Sequence, residues 1–284
     1  MNRNILRLVC AIIYLAMGHA HAQTINPILI EVDAGREMGL FSKSPVVQRA
    51  ILLKSAVPSD TALLFYRGWS GIANIKTEND WQRNLNYLRN NVDLFSQAGI
   101  SLVVMDCPSD ENSVAPGNTP IGCNDDYRSS IKHADDVRKI IAVLKEKYGM
   151  KKIFVMGHSY GTISSKWLGK NLGNEIQGSI HSASMTHANT RMRAYGYSVE
   201  SFDMTAIKAP VLNIHHGDDQ CVHTPYATVV AYSKNNLITV KGGEGTGDVC
   251  GGTHLHSMGG REELSSKAII QWIKTGQVQT TIGE

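Results

Sequence analysis

Lys152-Ile153-Phe154-Val155-Met156 is a short apolar run, and Gly157-His158-Ser159-Tyr160-Gly161 follows it directly. A continuous apolar run of this length predicts a strand that is buried on both faces. The pattern G-x-S-x-G after such a strand predicts a sharp turn into a helix, because only glycine leaves room where the backbone approaches itself closely. The turn would lift the Ser159 hydroxyl above the edge of the sheet. Ser159 is therefore a candidate nucleophile, provided that a base and an acid follow later in the chain.

Strands and helices alternate on both sides of this segment. Apolar runs predict further buried strands at residues 61–66, 100–106, 176–182, 210–215 and 237–240. Helical spacing predicts helices at residues 79–98, 127–148, 225–234 and 263–275, with another after Tyr160. Residues 23–59 are expected to form antiparallel strands at one edge. The alternation predicts one α/β domain over residues 23–284, with a mainly parallel sheet and helices on both faces.

The composition excludes several classes of protein. Hydrophobic residues make up 42% of the 284 residues, which is enough to build a core and excludes intrinsic disorder. The 28 basic and 25 acidic residues leave a formal net charge of +3. Such a small excess excludes the electrostatic footprint of a nucleic-acid-binding protein. We therefore expect no nucleic acid partner.

The first 22 residues have the three parts of a secretory signal peptide. Arg3 and Arg7 make the start basic, an apolar run follows at residues 8–17, and Ala20-His21-Ala22 offers a small-x-small cleavage site. The apolar run is too short to cross a membrane, which takes about 20 residues. The alternative is a buried N-terminal helix. We expect cleavage near Ala22 and an exported protein, periplasmic or extracellular, with no stable membrane anchor.

Four cysteines remain after Cys10 is removed with this segment: Cys107, Cys123, Cys221 and Cys250. An even number in an exported chain indicates two disulfides, and three pairings are possible. We favour Cys107–Cys123 and Cys221–Cys250, because each pair brackets a loop beside the end of a predicted strand.

Candidates for the acid and the base follow Ser159 in the chain. Asp218 and Asp219 come directly after the strand at residues 210–215, where a loop leaves the sheet. His254 and His256 lie between the last predicted strand and the last helix. The order Ser, Asp, His is the order in which hydrolases with a nucleophile elbow supply their catalytic triad.

In these motifs the chain resembles the α/β-hydrolase superfamily, and in particular its compact esterases and dienelactone-hydrolase-like members. The resemblance covers roughly residues 61–277. It implies the α/β-hydrolase fold, with Ser159 as nucleophile, His256 as general base and Asp219 as the acid that orients it. Asp219 is preferred to Asp218 because Asp-x-Cys followed by Thr-Pro resembles the acid loop of cysteine-stapled secreted relatives. His256 is preferred to His254 because small residues, glycine and then the opening of a helix follow it.

The resemblance also indicates an oxyanion hole of two backbone N–H groups. One is the N–H of Tyr160, directly after the nucleophile. The other should come from the loop after the strand at residues 61–66, where Trp69 lies in the sequence Arg67-Gly68-Trp69-Ser70-Gly71. The glycines on either side would let the Trp69 peptide turn toward the developing oxyanion.

Some of these residues also allow other interpretations. Seven histidines between residues 181 and 256 suggest a metal site, but neither the H-E-x-x-H pattern nor cysteine-ligand spacing accompanies His254-x-His256. We expect no metal and no cofactor. The rings of Trp69 and Tyr160 either line the acyl pocket or pack on the sheet edge. Glu244 and Asp248 are expected to be solvated loop charges.

The lid region bears on the substrate. The segment at residues 184–210, where many members of this fold carry a lid, is short. Its length predicts a minimal flap, with Arg191 and Arg193 facing solvent, and an open cleft suited to small esters. The expected partner is therefore a small-molecule ester, hydrolysed through an acyl-enzyme. A peptidase or amidase using the same triad is an alternative, although peptidases of related fold usually have a glycine where this chain has Thr162. A further alternative is a binding protein that kept the fold with a misaligned triad.

Overall fold

The computed structural model describes residues 26–115, 119–120, 122–188 and 199–284. The predicted signal peptide, residues 1–22, lies outside these residues. Arg191 and Arg193 of the predicted flap lie outside them as well. The fold described below is that of the remaining chain.

A nine-stranded sheet forms the centre of the described chain, with the strand order β1-β2-β4-β3-β7-β8-β9-β10-β11. Antiparallel pairing joins β1 to β2 and β2 to β4, and every later pair in the order is parallel. A separate two-stranded ribbon consists of β5 and β6. The strands are β1 (Pro27–Met38), β2 (Ser44–Leu53), β3 (Thr61–Tyr66), β4 (Ile100–Met105), β5 (Val114–Ala115), β6 (Thr119–Pro120), β7 (Lys152–His158), β8 (Gly178–Ser182), β9 (Val211–His216), β10 (Leu237–Val240) and β11 (Thr281–Ile282).

Six α-helices connect the strands in the described chain: α1 (Val92–Gln97), α2 (Asp125–Ser129), α3 (Ile131–Tyr148), α4 (Thr162–Leu172), α5 (Tyr226–Tyr232) and α6 (Glu262–Thr275). The mainly parallel sheet with an antiparallel edge confirms the predicted fold class. The strand β11 has no counterpart in the sequence prediction, because its two residues are too few to show a pattern.

Two hydrophobic cores cover the two faces of the sheet, and single strands contribute to both. In β7, Phe154 and Met156 belong to one core, whereas Ile153 and Val155 belong to the other. Successive side chains of a strand point to opposite faces, so a strand that is apolar at every position has to be covered on both sides. This is why the buried strands appear in the sequence as continuous apolar runs.

Two predicted helices are wrong in form. Residues 79–98 were expected to be one helix, but they form two 3-10 segments, Glu78–Arg83 and Asn86–Asn91, followed by α1. Asn86 has a left-handed backbone, with φ of 47°, which interrupts any helix. The predicted helix at residues 127–148 is broken at Ser130, whose extended backbone separates α2 from α3 and whose hydroxyl accepts a hydrogen bond from the His133 N–H.

The parallel strands end at one edge of the sheet, and the loops that leave them gather there. In open α/β sheets, this carboxyl edge is where ligands bind. The loops after β3, β7, β8, β9 and β10 therefore supply the candidate site, because they bring together segments far apart in the sequence.

Candidate active site

Ser159 lies at a tight turn between β7 and α4. Its backbone is left-handed, with φ of 52°, a conformation that costs free energy in any residue other than glycine and that clusters at functional sites. A Cβ on Gly157 would lie 2.2 Å from the carbonyl oxygen of Gly161, and one on Gly161 would lie 2.2 Å from that of Tyr66. Only glycine fits at either position. These are the features of a nucleophile elbow.

Thr162 ties the elbow to the loop after β8. Its hydroxyl donates a hydrogen bond to the Ser159 carbonyl at 2.5 Å and accepts one from the Met185 N–H at 2.9 Å. A glycine at this position would make neither bond. Thr162 therefore holds Met185 beside the elbow, where Met185 lines the cavity in front of Ser159.

Asp219 and His256 meet at the same edge. The Nδ1 of His256 is 2.9 Å from the Oδ2 of Asp219, and both side chains are at most 1% exposed. Asp218 is exposed, and its N–H donates to the ring of His216. His254 packs against Gly245, where an added Cβ would lie 2.6 Å from its ring. Of the candidates, the structure pairs Asp219 with His256.

The charge of Asp219 fixes the proton on His256. Burial alone would raise the pKa of the Asp219 carboxyl, but hydrogen bonds from His215 and His256 outweigh it and lower that pKa well below its ordinary value. An ionised carboxylate only accepts hydrogen bonds, so the Nδ1 of His256 carries the proton that it donates. The Nε2 of His256 is left with its lone pair, and it has no hydrogen-bond partner among the described residues.

Ser159 and His256 line one cavity of about 460 Å³. The half-exposed ring of Trp69 and the side chain of Asp248 also border it. The sequence prediction treated Asp248 only as a solvated loop charge, whereas the structure places it, still exposed, at the wall of the cavity. The volume lies in the lower half of the range of about 300–1,000 Å³ for small-molecule sites.

The two predicted oxyanion donors lie on neighbouring segments. The Trp69 ring contacts the Tyr160 ring edge to face, with centroids 5.7 Å apart. A Cβ on Gly68 would lie 3.3 Å from the Cβ of Ser159, so the loop after β3 runs against Ser159. The Tyr160 side chain is 1% exposed and lies under the guanidinium of Arg128, 5.0 Å from it, rather than in the cavity wall. The oxyanion role of both N–H groups stays a prediction.

Solved structures share this arrangement of elements. The chain is similar to the esterase Est1E from Butyrivibrio proteoclasticus, with 14% identity and a TM-score of 0.53 over 84% of this chain and 97% of that one. It is also similar to the Pyrococcus furiosus esterase Pf2001, with 13% identity and a TM-score of 0.55 over 88% and 92%. A putative dienelactone hydrolase from Klebsiella pneumoniae matches with 10% identity and a TM-score of 0.53 over 88% and 99%. The chain has the α/β-hydrolase fold. No protein-family model matches the sequence, and no curated protein matches it.

One residue that sequence reasoning missed holds the loop after β3, which carries Trp69. Asp106 follows β4 and is 4% exposed. Its carboxylate accepts the N–H groups of Ala73, Asn74 and Ile75 at 2.6 to 3.0 Å. A charged residue at the end of a fully buried strand was the available signal, because a buried charge needs partners.

The interrupted segment at residues 78–91 supports the same loop. The Asn86 side chain accepts a hydrogen bond from the Gly68 N–H at 3.1 Å. The Asn84 amide donates to the Ala73 carbonyl, and its oxygen accepts from Arg67. In a single continuous helix the side chains of Asn84 and Asn86 would point in other directions. The break in the helix therefore allows both to bond to the loop that carries Trp69.

The role of His158, the residue directly before Ser159, was also missed. Its Nδ1 is 3.2 Å from the Ser182 hydroxyl and its Nε2 is 3.1 Å from the Ser257 hydroxyl. Its ring centroid is 5.2 Å from that of His256. Burial lowers the pKa of His158 well below its ordinary value, so it stays neutral beside the general base candidate. His158 connects β8 to the loop of His256.

Both favoured disulfides are present in the structure. Cys107–Cys123 joins the segment after β4 to the start of α2. Cys221–Cys250 joins the loop of Asp219 to the segment that leads to His256, and both of its cysteines line the cavity. The second disulfide thus connects the loops that carry the acid and base candidates.

Across residues 26–115, 119–120, 122–188 and 199–284, no three or more His, Cys, Asp or Glu side chains are grouped so as to hold a metal ion. Within the same ranges, no helix has the length and apolar character needed to span a bilayer.

Proposed function

We propose that the protein is an exported serine hydrolase that cleaves small carboxylic esters through an acyl-enzyme. The observation that carries the proposal is the arrangement of three side chains. Ser159 stands on a nucleophile elbow, and His256 lines the same cavity with its Nε2 unpartnered and its Nδ1 bonded to Asp219. A nucleophile, a base and an orienting carboxylate are the three parts that acyl transfer requires.

The proposed reaction begins with attack of the Ser159 Oγ on the ester carbonyl carbon. The Nε2 of His256 takes the hydroxyl proton as the new bond forms, and Asp219 stabilises the resulting imidazolium. The backbone N–H groups of Tyr160 and Trp69 would then stabilise the negative charge on the carbonyl oxygen. One such donor typically contributes about 3 kcal/mol to transition-state stabilisation.

Collapse of this intermediate expels the alcohol, which receives the proton from His256. Water then enters, gives a proton to the Nε2 of the same ring, and attacks the acyl carbon. The second tetrahedral intermediate releases the carboxylic acid and returns the proton to Ser159. The same groups serve both halves of the reaction, so no cofactor is needed in the proposed cycle.

The size of the cavity supports a small ester. A volume of about 460 Å³ accommodates a compact acyl group with a small alcohol. Two of the similar structures are named as esterases, but their identity of 13–14% supports only the fold. A substrate panel therefore has to decide whether the protein cleaves ester or amide bonds.

Export is supported by the disulfides. Two disulfides persist in oxidising compartments and are rare in the cytosol. They fit the predicted signal peptide at residues 1–22, whose removal would leave an even number of cysteines. Expression of the full chain, followed by N-terminal sequencing of the exported product, should give Gln23 as the first residue.

A substrate panel tests the proposed activity. The wild-type protein should hydrolyse p-nitrophenyl esters with short acyl chains faster than longer ones and faster than peptide amides. Ser159→Ala should lose all of this activity. Hydrolysis of amides alone would make the protein a peptidase or amidase, and an inert wild-type protein would reject hydrolase function.

A further inference from the structure

We propose that His215 is a positioning residue for Asp219, so that one carboxylate serves two imidazoles, of which only His256 exchanges protons with substrate. This inference rests on the proposed function. Asp219 Oδ2 is 3.1 Å from the Nε2 of His215 and 2.9 Å from the Nδ1 of His256. All three side chains are at most 1% exposed.

His215 lies on a strand of the central sheet. It is the fifth residue of β9 and pairs with Thr239 of β10, whereas Asp219 lies on the loop beyond the strand. The hydrogen bond therefore ties a loop carboxylate to the sheet. The Thr224 hydroxyl, at 2.8 Å from Oδ2, and the Cys221 N–H, at 2.9 Å from Oδ1, come from the loop itself.

The ionised Asp219 carboxylate determines which nitrogen of each of the two rings carries a proton. Because an ionised carboxylate only accepts hydrogen bonds, the Nε2 of His215 has to donate. A neutral imidazole has a single N–H, so the Nδ1 of His215 then carries a lone pair. His256 has the opposite arrangement, with its proton on Nδ1. The two rings thus differ in tautomer although they share an acceptor.

A neutral donor suits this position better than a cation. A lysine or arginine would hold Asp219 in place, but its charge would offset the carboxylate charge that stabilises the His256 imidazolium. Burial lowers the pKa of His215, even with Asp219 beside it, so the ring remains uncharged. His215 can therefore orient Asp219 and leave its charge available to His256.

Among the described residues, the titratable side chains that face the network of His215, Asp219 and His256 are His158 and His223, which interact with His256, and Tyr226 of α5, whose ring centroid is 5.9 Å from that of His215. A change in the pH dependence of turnover on substitution of His215 can thus be traced to this network.

Two substitutions separate positioning from packing. His215→Leu keeps the site apolar and removes the donor, and His215→Gln places an amide N–H where the Nε2–H was. For the leucine variant we expect kcat to fall about 10- to 100-fold with KM nearly unchanged, the effect of one lost hydrogen bond to a charged group. The acidic limb of its pH–rate profile should move upward, because Asp219 with one donor fewer stabilises imidazolium more strongly. The glutamine variant should recover kcat to within about threefold of wild type.

His216→Leu is the matched control. His216 is the next residue of β9 and is buried, but its ring bonds to the Gly242 carbonyl and the Asp218 N–H instead of to Asp219. The His216→Leu variant should leave the acidic limb of the pH–rate profile unchanged. A folded His215→Leu protein with wild-type kcat and pH profile would overturn the proposal, and so would a folded glutamine variant no better than the leucine variant.

A measurement on the unmodified protein does not depend on how the variants fold. In ¹⁵N-histidine-labelled protein at neutral pH, NMR should show His215 with its proton on Nε2 and His256 with its proton on Nδ1. A His215 ring protonated on Nδ1 alone would overturn the proposal. If the wild-type protein neither turns over esters nor reacts with a fluorophosphonate, the proposed function fails, whatever the tautomer of His215.

Discussion

Replacement of Asp219 by asparagine should reduce kcat by about 100-fold if only the charge is lost and by about 10⁴-fold if the tautomer of His256 is lost as well, with Asp218→Asn as the matched control. The reason is the set of donors around Oδ2. His256, His215 and Thr224 all direct donor groups at this oxygen, at 2.8 to 3.1 Å. An amide NH₂ there would face three donors. Turning the amide over would place the NH₂ against the Cys221 N–H instead.

Either orientation of the amide damages the triad. With the NH₂ at the Oδ2 position, the Nδ1 of His256 becomes an acceptor and the proton moves to Nε2, where the lone pair is needed. With the amide turned over, one donor conflict remains instead of three and His256 keeps its tautomer, but the negative charge that stabilises its imidazolium is lost. Loss of the correct tautomer in a Ser-His-Asp triad costs about 10⁴ in kcat, which corresponds to about 5.5 kcal/mol of transition-state stabilisation. Asp218 is exposed and lies outside this network, so its asparagine variant should stay within about threefold of wild type.

The assay compares steady-state hydrolysis of a short-chain p-nitrophenyl ester by the two variants, after circular dichroism has shown that both are folded. The rate of fluorophosphonate labelling should follow the same order. A folded Asp219→Asn protein within tenfold of wild type would refute the reasoning. A larger loss in Asp218→Asn would assign the acid to that residue.

Two further predictions concern stability. Replacing Cys221 and Cys250 together by serine removes a disulfide between positions 29 residues apart. Because the unfolded chain is then less restricted, the free energy of unfolding should fall by about 3.5 kcal/mol. An unchanged thermal midpoint would contradict this prediction. Lys166, buried and bonded to the Met185 carbonyl, has its pKa lowered to about 7 by burial. Because the folded state then binds fewer protons than the unfolded state between pH 7 and 10, the wild-type protein should gain stability relative to Lys166→Met as pH rises, by up to about 1.4 kcal/mol per pH unit. Urea unfolding at several pH values measures the difference in stability between the wild-type protein and Lys166→Met. Lys170→Met, at an exposed lysine, serves as the control. A difference that does not vary with pH would refute the prediction.

The sequence predicted most of the sheet because its strands carry their own signal. A strand such as β4, buried at all six positions, is an apolar run whatever surrounds it. The nucleophile elbow is equally local, since Gly157 and Gly161 are required by contacts within a few residues and with the adjacent strand. Helical spacing was less reliable. Residues 78–91 have the apolar pattern of a helix, but their asparagines bond to the loop after β3 and the backbone follows those bonds.

The candidate site was predictable only where a motif or an order of residues marks it. Asp106 and His215 could not be assigned, because their roles depend on partners 31 to 41 positions away. His215 in particular looks like any buried histidine on a strand until the fold brings His256 to the same carboxylate. Long-range hydrogen bonds of this kind follow from the assembled sheet edge.

The most direct test of the central claim is the site of covalent labelling by a fluorophosphonate. The wild-type protein should gain one adduct, and mass spectrometry of its peptides should place that adduct on Ser159, the residue at the elbow. Ser159→Ala should gain none. An adduct on another residue, or equal labelling of the two proteins, would contradict the assignment of Ser159 as the nucleophile.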